Sequence, residues 1–99
     1  MMYRVYIRET REILGEVEIA ESKRTDHGIP ITAFWDALGG TVFVDGSLHQ
    51  MVSLGGNTYN LTDIDADQEL TPAALAQRLR LRKMFGKSTE LDRYGWEIK

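Results

Sequence analysis

The chain has 99 residues, of which 42% are hydrophobic and 9% aromatic, and it carries no cysteine. This length is typical of one small domain with one hydrophobic core, and the absence of cysteine excludes a disulfide framework and a thiolate metal site. The formal net charge of −3 is mildly acidic, which argues against non-specific nucleic-acid binding as the main role.

The first predicted element is a strand near the N-terminus. In residues 3–8 an apolar face alternates with a face that carries Arg4, Tyr6 and Arg8, and this period of two indicates a strand. No apolar run approaches the roughly 18–20 residues of a membrane span, and the charged N-terminus lacks the apolar core of a signal peptide. We therefore expect a soluble cytoplasmic protein with no membrane contact.

Residues 12–21 (EILGEVEIAE) allow two interpretations. As a strand, the segment places Ile13, Val17 and Ile19 on one face together with Gly15. As a helix, a different set of apolar residues forms a tolerable stripe. Glycine costs about 1 kcal/mol in a helix interior, and Val and Ile prefer strands. We favour the strand and leave the helix open.

A polar loop and a short helix are predicted next. Residues 22–30 are polar and end in Gly-Ile-Pro, which is typical of a loop, and this loop is expected to be mobile. Thr32 has the character of an N-cap for a helix over 33–38, and Gly39 suits the left-handed position after its end. The large residues of this helix should face the sheet: Phe34, Trp35 and Leu38.

The segment 41–64 predicts the centre of the fold. Asp45-Gly46 and Gly55-Gly56-Asn57 supply residues that adopt positive φ at low cost, which tight hairpin turns require. Between them lie β-branched and aromatic residues with partial alternation. We predict three antiparallel strands in a meander.

A longer helix and a closing strand complete the predicted fold. Thr71 before Pro72 is a strong helix start, and Gly86 a stop, so a helix is predicted over 72–85. Alternation in residues 94–98 indicates a short last strand. The order ββαβββαβ defines a single α+β domain over residues 1–99, with a mostly antiparallel, curved sheet.

The acidic residues between the meander and this helix resemble the opening of a calcium-binding loop. Asp63, Asp65, Asp67 and Glu69 stand at alternate positions, but Gln68 replaces the required glycine and Ala74 the bidentate glutamate. We predict a solvated acidic turn that favours the positive end of the following helix. Cation binding there stays open, and no metal site is assigned.

The basic residues are concentrated in the C-terminal third. Residues 1–69 carry five Lys or Arg against twelve Asp or Glu, whereas residues 70–99 carry seven against three. The densest group of these basic residues lies within residues 78–87. Its side chains point in several directions around the predicted helix, and it lacks the motifs of known nucleic-acid-binding domains. It is a candidate surface for a protein partner and, as an alternative, for nucleic acid: Arg78, Arg80, Arg82, Lys83 and Lys87.

No catalytic residue and no cofactor is predicted. His27 and His49 are the only histidines, and they lack the Asp/Glu pattern of a zinc site. The glycine pairs match neither phosphate-loop spacing. A small enzyme or ligand binder that uses Asp26 and His27 in the 22–30 loop remains a further alternative.

The remaining candidate surface is Arg4, Tyr6 and Arg8. Tyr6 falls opposite the apolar face of its strand and is expected to be exposed between two arginines, a composition found at protein-interaction hot spots. Together with the segregated charge, it favours a non-catalytic protein-binding module. Such a chain would be a small regulatory, inhibitory or assembly protein that acts through charged contacts or associates with itself as a homo-oligomer.

Overall fold

The computed structural model describes residues 1–87 and 90–98. It contains two compact units, Met1–Asp67 and Gln68–Lys99. The fold consists of two helices and two antiparallel three-stranded sheets, so the predicted α+β class of a small domain is confirmed.

The first sheet has the order β2-β1-β6, formed by Met2–Ile7 (β1), Ile13–Glu18 (β2) and Ile64–Gln68 (β6). Strands β1 and β2 are antiparallel, with Tyr3 opposite Val17 and a bulge between Val5 and Tyr6. The strand interpretation of residues 12–21 is therefore confirmed.

The second sheet is the predicted meander, with the order β3-β4-β5. Its strands are Thr41–Val44 (β3), Gln50–Leu54 (β4) and Asn57–Asn60 (β5). Gly55 and Gly56 both have positive φ, 58° and 83°, as the turn between β4 and β5 requires.

The strands divide between two sheets because the chain turns sharply after β5. The Asn60 side chain accepts a hydrogen bond from the Thr62 amide at 3.3 Å, and Leu61–Asp63 form one turn of 3₁₀ helix with Leu61 buried. The stretch predicted as one strand up to Ile64 is thus split into β5 and the start of β6.

Helix α1 spans Ile31–Leu38. It begins earlier than predicted, with Pro30 at the N-cap and no side-chain cap, so the assignment of Thr32 as N-cap is wrong. The prediction for its end is confirmed, because Gly39 has a φ of 80° and closes the helix in the left-handed conformation.

The hydrophobic core of the first unit lies between α1 and strands of both sheets. Trp35, Val5 and Val52 are its largest fully buried side chains, and Tyr3 meets Phe34 edge-to-face at 5.2 Å between ring centroids. Leu38 packs against this cluster. The predicted inward orientation of the large α1 residues is confirmed.

The second unit contains helix α2, Pro72–Met84. As predicted, Thr71 caps it by accepting a hydrogen bond from the Ala74 amide at 3.2 Å, with Pro72 in the first turn. The closing strand is represented by a single antiparallel bridge between Leu91 and Glu97. In the part of the chain that the structure describes, no helix is long and apolar enough to cross a membrane.

Candidate functional site

The Arg4–Tyr6–Arg8 surface does not form as predicted. Tyr6 is only 5% exposed and Arg4 is also buried, so the expectation of an exposed tyrosine between two arginines is wrong. The Tyr6 hydroxyl donates a hydrogen bond to Asp67 Oδ1 at 3.1 Å, and Arg4 lies 3.5 Å from a Glu16 carboxylate oxygen. Burial and the neighbouring carboxylate of Asp67 raise the pKa of Tyr6, so its phenol remains a donor.

Arg8 is the exposed member of this set, and it is held within the sheet. Its Nε and Nη2 atoms donate to the two carboxylate oxygens of Asp65 at 2.8 and 2.9 Å, a bidentate pair. The prediction of an acidic turn before α2 is wrong, because Asp65 and Asp67 are part of strand β6, whereas Asp63 ends the preceding 3₁₀ turn and Glu69 follows the strand. No group of three or more potential metal ligands occurs among residues 1–87 and 90–98.

The Arg8–Asp65 pair predicts a pH dependence of stability. Arg8 holds the pKa of Asp65 below its usual value of about 3.9. Because the pKa is lower in the folded state, the stabilisation is present above about pH 4 and is lost as the pH falls through the folded-state value. We expect Asp65→Asn to destabilise at neutral pH and to have a smaller effect near pH 2, measured by urea unfolding.

The control for this prediction is the same substitution in an Arg8→Ala background. In that background the effect of Asp65→Asn on stability should be small and nearly independent of pH, because Arg8, the partner of Asp65, is absent. An effect of Asp65→Asn that is equal in both backgrounds and at both pH values would contradict the assignment.

The basic run on and after α2 is not a single surface. Arg82 is mostly buried and pairs with Glu97 at 3.0 Å, whereas the other members of the run are exposed. Residues 78, 80 and 82 also point in different directions around the helix. A role of Arg78, Arg80, Arg82, Lys83 and Lys87 in binding protein or nucleic acid remains a prediction.

The two histidines lie in separate turns. His27 is exposed in a turn closed by hydrogen bonds between Thr25 and Gly28. His49 lies at the end of the β3–β4 hairpin, with Nδ1 3.7 Å from Asp45 Oδ2. Each turn also contains a hydroxyl residue: Thr25 Oγ1 accepts a hydrogen bond from the His27 amide at 3.2 Å, and Ser47 donates its amide to Asp45.

A cavity of about 200 Å³ in the first unit is lined mainly by core residues, among them Val5, Phe34, Trp35 and Ile64. Asp65 is the one charged side chain in its lining, and that carboxylate is already bound by Arg8. The cavity therefore presents an apolar wall without a set of convergent polar groups that would define a substrate.

The four outer strands of the two sheets differ sharply in chemistry. Strands β2 and β6 carry two acidic residues each, and β5 reads Asn-Thr-Tyr-Asn. Strand β3 reads Thr-Val-Phe-Val, with no charge, no proline and no polar residue except threonine. Charged or polar residues on outer strands protect a sheet from pairing with another chain. Strand β3 lacks this protection.

The side chains of β3 are exposed to an unusual degree for their type. Val42 is 38% exposed, Phe43 37% and Val44 57%. The alternation explains why the exposure involves both faces of the sheet, since Val42 and Val44 lie on one face and Phe43 on the other.

The backbone of β3 also offers unpaired hydrogen-bonding groups. The register places Val42 opposite Val52 and Val44 opposite Gln50, and the Asp45 amide donates to the His49 carbonyl. Hydrogen-bonded pairs alternate with non-bonded pairs in an antiparallel ladder, so the amide and carbonyl groups of Val42 and Val44 point away from β4. We call this outer side of residues 41–44 the β3 edge.

The turn after β3 carries an exposed leucine in a strained conformation. Leu48 has a φ of 63° and is 84% exposed. The Asp45 carboxylate fixes the turn by accepting hydrogen bonds from the amides of Ser47 and His49, both at 2.9 Å. The expectation that Asp45-Gly46 supplies the positive φ of this turn is therefore wrong: Gly46–Leu48 form a three-residue loop, and the positive φ falls on Leu48, its last position.

The same turn occurs a second time in the chain, at residues 92–96. The Asp92 carboxylate accepts hydrogen bonds from the amides of Tyr94 and Trp96 at 2.9 and 3.0 Å. The residue at the positive-φ position is Gly95, with a φ of 82°. Glycine is the residue that this position favours, and Leu48 is the exception.

Leu48→Gly is expected to stabilise the protein by about 0.5–1 kcal/mol. The left-handed conformation costs a residue with a Cβ about 1–2 kcal/mol, and the greater backbone entropy of glycine in the unfolded chain offsets part of the gain. Urea unfolding measures the change, with Ser47→Gly as the control at a position without positive φ. A loss of stability in Leu48→Gly would contradict the proposed strain.

Comparison with protein-family models, with curated proteins and with solved structures gave no match for this chain. The β3 edge and Leu48 are therefore assessed from their own chemistry. Sequence reasoning did not single them out as a site, although the uncharged run at 41–44 and a leucine within a turn were visible signals.

Proposed function

We propose that this protein is a non-catalytic protein-binding module that binds through the β3 edge and Leu48. The observation that carries the proposal is the contrast among outer strands: β3 alone among the four described ones is uncharged and apolar on both faces. In the cell it would act as a cytoplasmic regulatory, inhibitory or assembly protein.

Strand addition is the binding mode that suits this edge. An extended segment of a partner would complete the hydrogen bonds of Val42 and Val44, which supplies affinity through the main chain. The same segment would cover the exposed valine and phenylalanine side chains, and each Å² of apolar surface removed from water contributes about 25 cal/mol.

Leu48 supplies an anchor beside this edge. Its backbone is fixed before binding by the Asp45 hydrogen bonds, so little conformational entropy is lost when the side chain enters a pocket on a partner. Strain kept at an exposed apolar residue is a reason to infer function. We expect the stabilising Leu48→Gly substitution to weaken binding.

Comparative affinity capture from a lysate of the native source tests the proposal. The baits are tagged wild-type protein, Val44→Lys and Thr58→Lys. Val44→Lys introduces a charge on the β3 edge, and Thr58→Lys introduces the same charge on β5, the polar outer strand of the same sheet. Circular dichroism of each bait confirms that it is folded.

We expect at least one protein, the untagged chain itself included, to be retained by wild type and Thr58→Lys and lost with Val44→Lys. Identical retention by all three folded baits, or retention of no protein by any of them, would overturn the proposed function.

A further inference from the structure

We infer that the strand added at the β3 edge is the β3 strand of a second copy of this chain, in antiparallel pairing about a two-fold axis at Phe43. This inference rests on the proposed function and names its partner. The product is a continuous six-stranded sheet with the order β5-β4-β3-β3-β4-β5.

The backbone of β3 is self-complementary in this register. Centring the axis on Phe43 places Val42 opposite Val44 of the second copy, and Val44 opposite its Val42. Both residues have outward amide and carbonyl groups, so each pair exchanges two hydrogen bonds. The four outward groups of each copy are then all satisfied by four intermolecular bonds.

The side chains agree with the same register. The two Phe43 residues become a directly opposed non-hydrogen-bonded pair, the closest type of cross-strand contact, in which aromatic residues pair favourably. On the other face, each Val42 meets a Val44. Apolar residues that are partly exposed in one copy are thereby covered in both.

The Phe43-centred pairing of two copies does not bring like charges together. Strand β3 carries no charge, and Asp45 follows it at one end only. In the Phe43-centred register Asp45 lies opposite Thr41, and the two Asp45 carboxylates stand at opposite ends of the paired strands. No acidic group of β3 or Asp45 therefore faces another across the two paired strands, so charge repulsion does not oppose this dimer.

The size of the contact predicts a weak dimer. Four residues and a neighbouring leucine cover much less than the roughly 800 Å² per partner of a standard stable interface. We expect a monomer–dimer equilibrium with a dissociation constant on the order of 100 µM, within reach of sedimentation equilibrium and NMR.

Sedimentation equilibrium of the purified full chain tests the inference with a charge-swap pair. Phe43→Asp and Phe43→Lys each oppose two like charges at the axis, so each alone is expected to be monomeric. An equimolar mixture opposes Asp to Lys and is expected to restore a dimer. Thr58→Lys, on the opposite outer strand, should dimerise like wild type.

Hydrogen exchange of the unmodified chain provides a second measurement that needs no variant to fold. The amides of Val42 and Val44 point outward, whereas the Phe43 amide faces β4. With rising protein concentration, exchange at Val42 and Val44 is expected to slow severalfold, while exchange at Phe43 stays unchanged.

A wild-type chain that is monomeric at millimolar concentration overturns the inference, as does a dimer that the separate Phe43 variants leave intact or that their mixture does not restore. Concentration-independent exchange at Val42 and Val44 also overturns it. If these results occur while Val44→Lys still loses a different captured protein, the proposed function stands and only the second copy is excluded.

Discussion

Trp35→Ala is expected to lower the free energy of unfolding by about 3–5 kcal/mol, the range for truncating a large buried aromatic residue. Trp35 is 1% exposed and belongs to the core cluster of the first unit. Alanine would leave a cavity that the surrounding strands and α1 fill only in part. Since small domains have total stabilities of about 5–15 kcal/mol, this one substitution removes a large share.

Trp35→Phe is the informative control for this prediction. The indole Nε1 of Trp35 has no hydrogen-bond acceptor among the described residues, so phenylalanine removes a buried unpaired donor together with part of the volume. Burying an unpaired donor costs about 1–3 kcal/mol, which offsets part of the lost packing. We expect a loss below half that of Trp35→Ala.

Urea unfolding followed by far-ultraviolet circular dichroism measures both variants. Equal losses for Trp35→Ala and Trp35→Phe would show that the indole nitrogen is hydrogen-bonded after all. A loss below about 1 kcal/mol for Trp35→Ala would contradict the burial of this residue in the core.

Leu61→Ala is expected to cost about 2–5 kcal/mol. Leu61 is a buried member of the core cluster, located in the 3₁₀ turn through which the chain passes from β5 to β6. Removing its side chain takes packing from the point at which the chain leaves one sheet and enters the other.

Thr62→Ala is the matched control, because Thr62 is the exposed neighbour in the same turn. Its hydroxyl donates a hydrogen bond to the exposed side of the turn, to Asn60 Oδ1 at 3.0 Å, so a change within about 0.5 kcal/mol is expected. Urea unfolding of the two variants separates the two effects. Similar losses for both would mean that turn geometry, rather than burial of Leu61, determines stability here.

The sequence predicted those elements whose signal is local. The meander, predicted over 41–64 and observed over 41–60, follows from Gly55, Gly56 and its β-branched residues, and α2 follows from Thr71 and Pro72. In both cases the residues that define an element lie within a few positions of one another, so no tertiary contact is needed to identify it.

The position of a strand within its sheet could not be predicted in this way. Alternation in β1 indicated one covered face, and Tyr6 was therefore expected on the exposed one. Strand β1 is the central strand, and all residues from Tyr3 to Tyr6 are buried. The contacts of Tyr6 with Asp67 and of Arg8 with Asp65 join residues about sixty positions apart, a distance that periodicity does not span.

The closing segment, residues 94–98, differs in detail from the short strand that its alternation predicted. Tyr94 and Trp96 alternate with polar residues as in a strand, but both of their amides donate to the Asp92 carboxylate. Asp92 and Gly95, three positions apart, are the residues that a tight turn favours, and this signal was stronger than the alternation. The same reasoning does not extend to residues 45–49, because Leu48 stands at the position that Gly95 has in the second turn.

The two matching turns also bear on how often this chain is unfolded. A conformational cost near 1 kcal/mol at Leu48, compared with a glycine in the equivalent place, corresponds to about a fivefold larger unfolded population at equilibrium. Proteolysis of transiently open chains follows that population, so we expect Leu48 to make the monomeric chain more susceptible to proteolysis than the Leu48→Gly variant. Because binding favours the folded form by mass action, the proposed pairing at the β3 edge would slow this degradation.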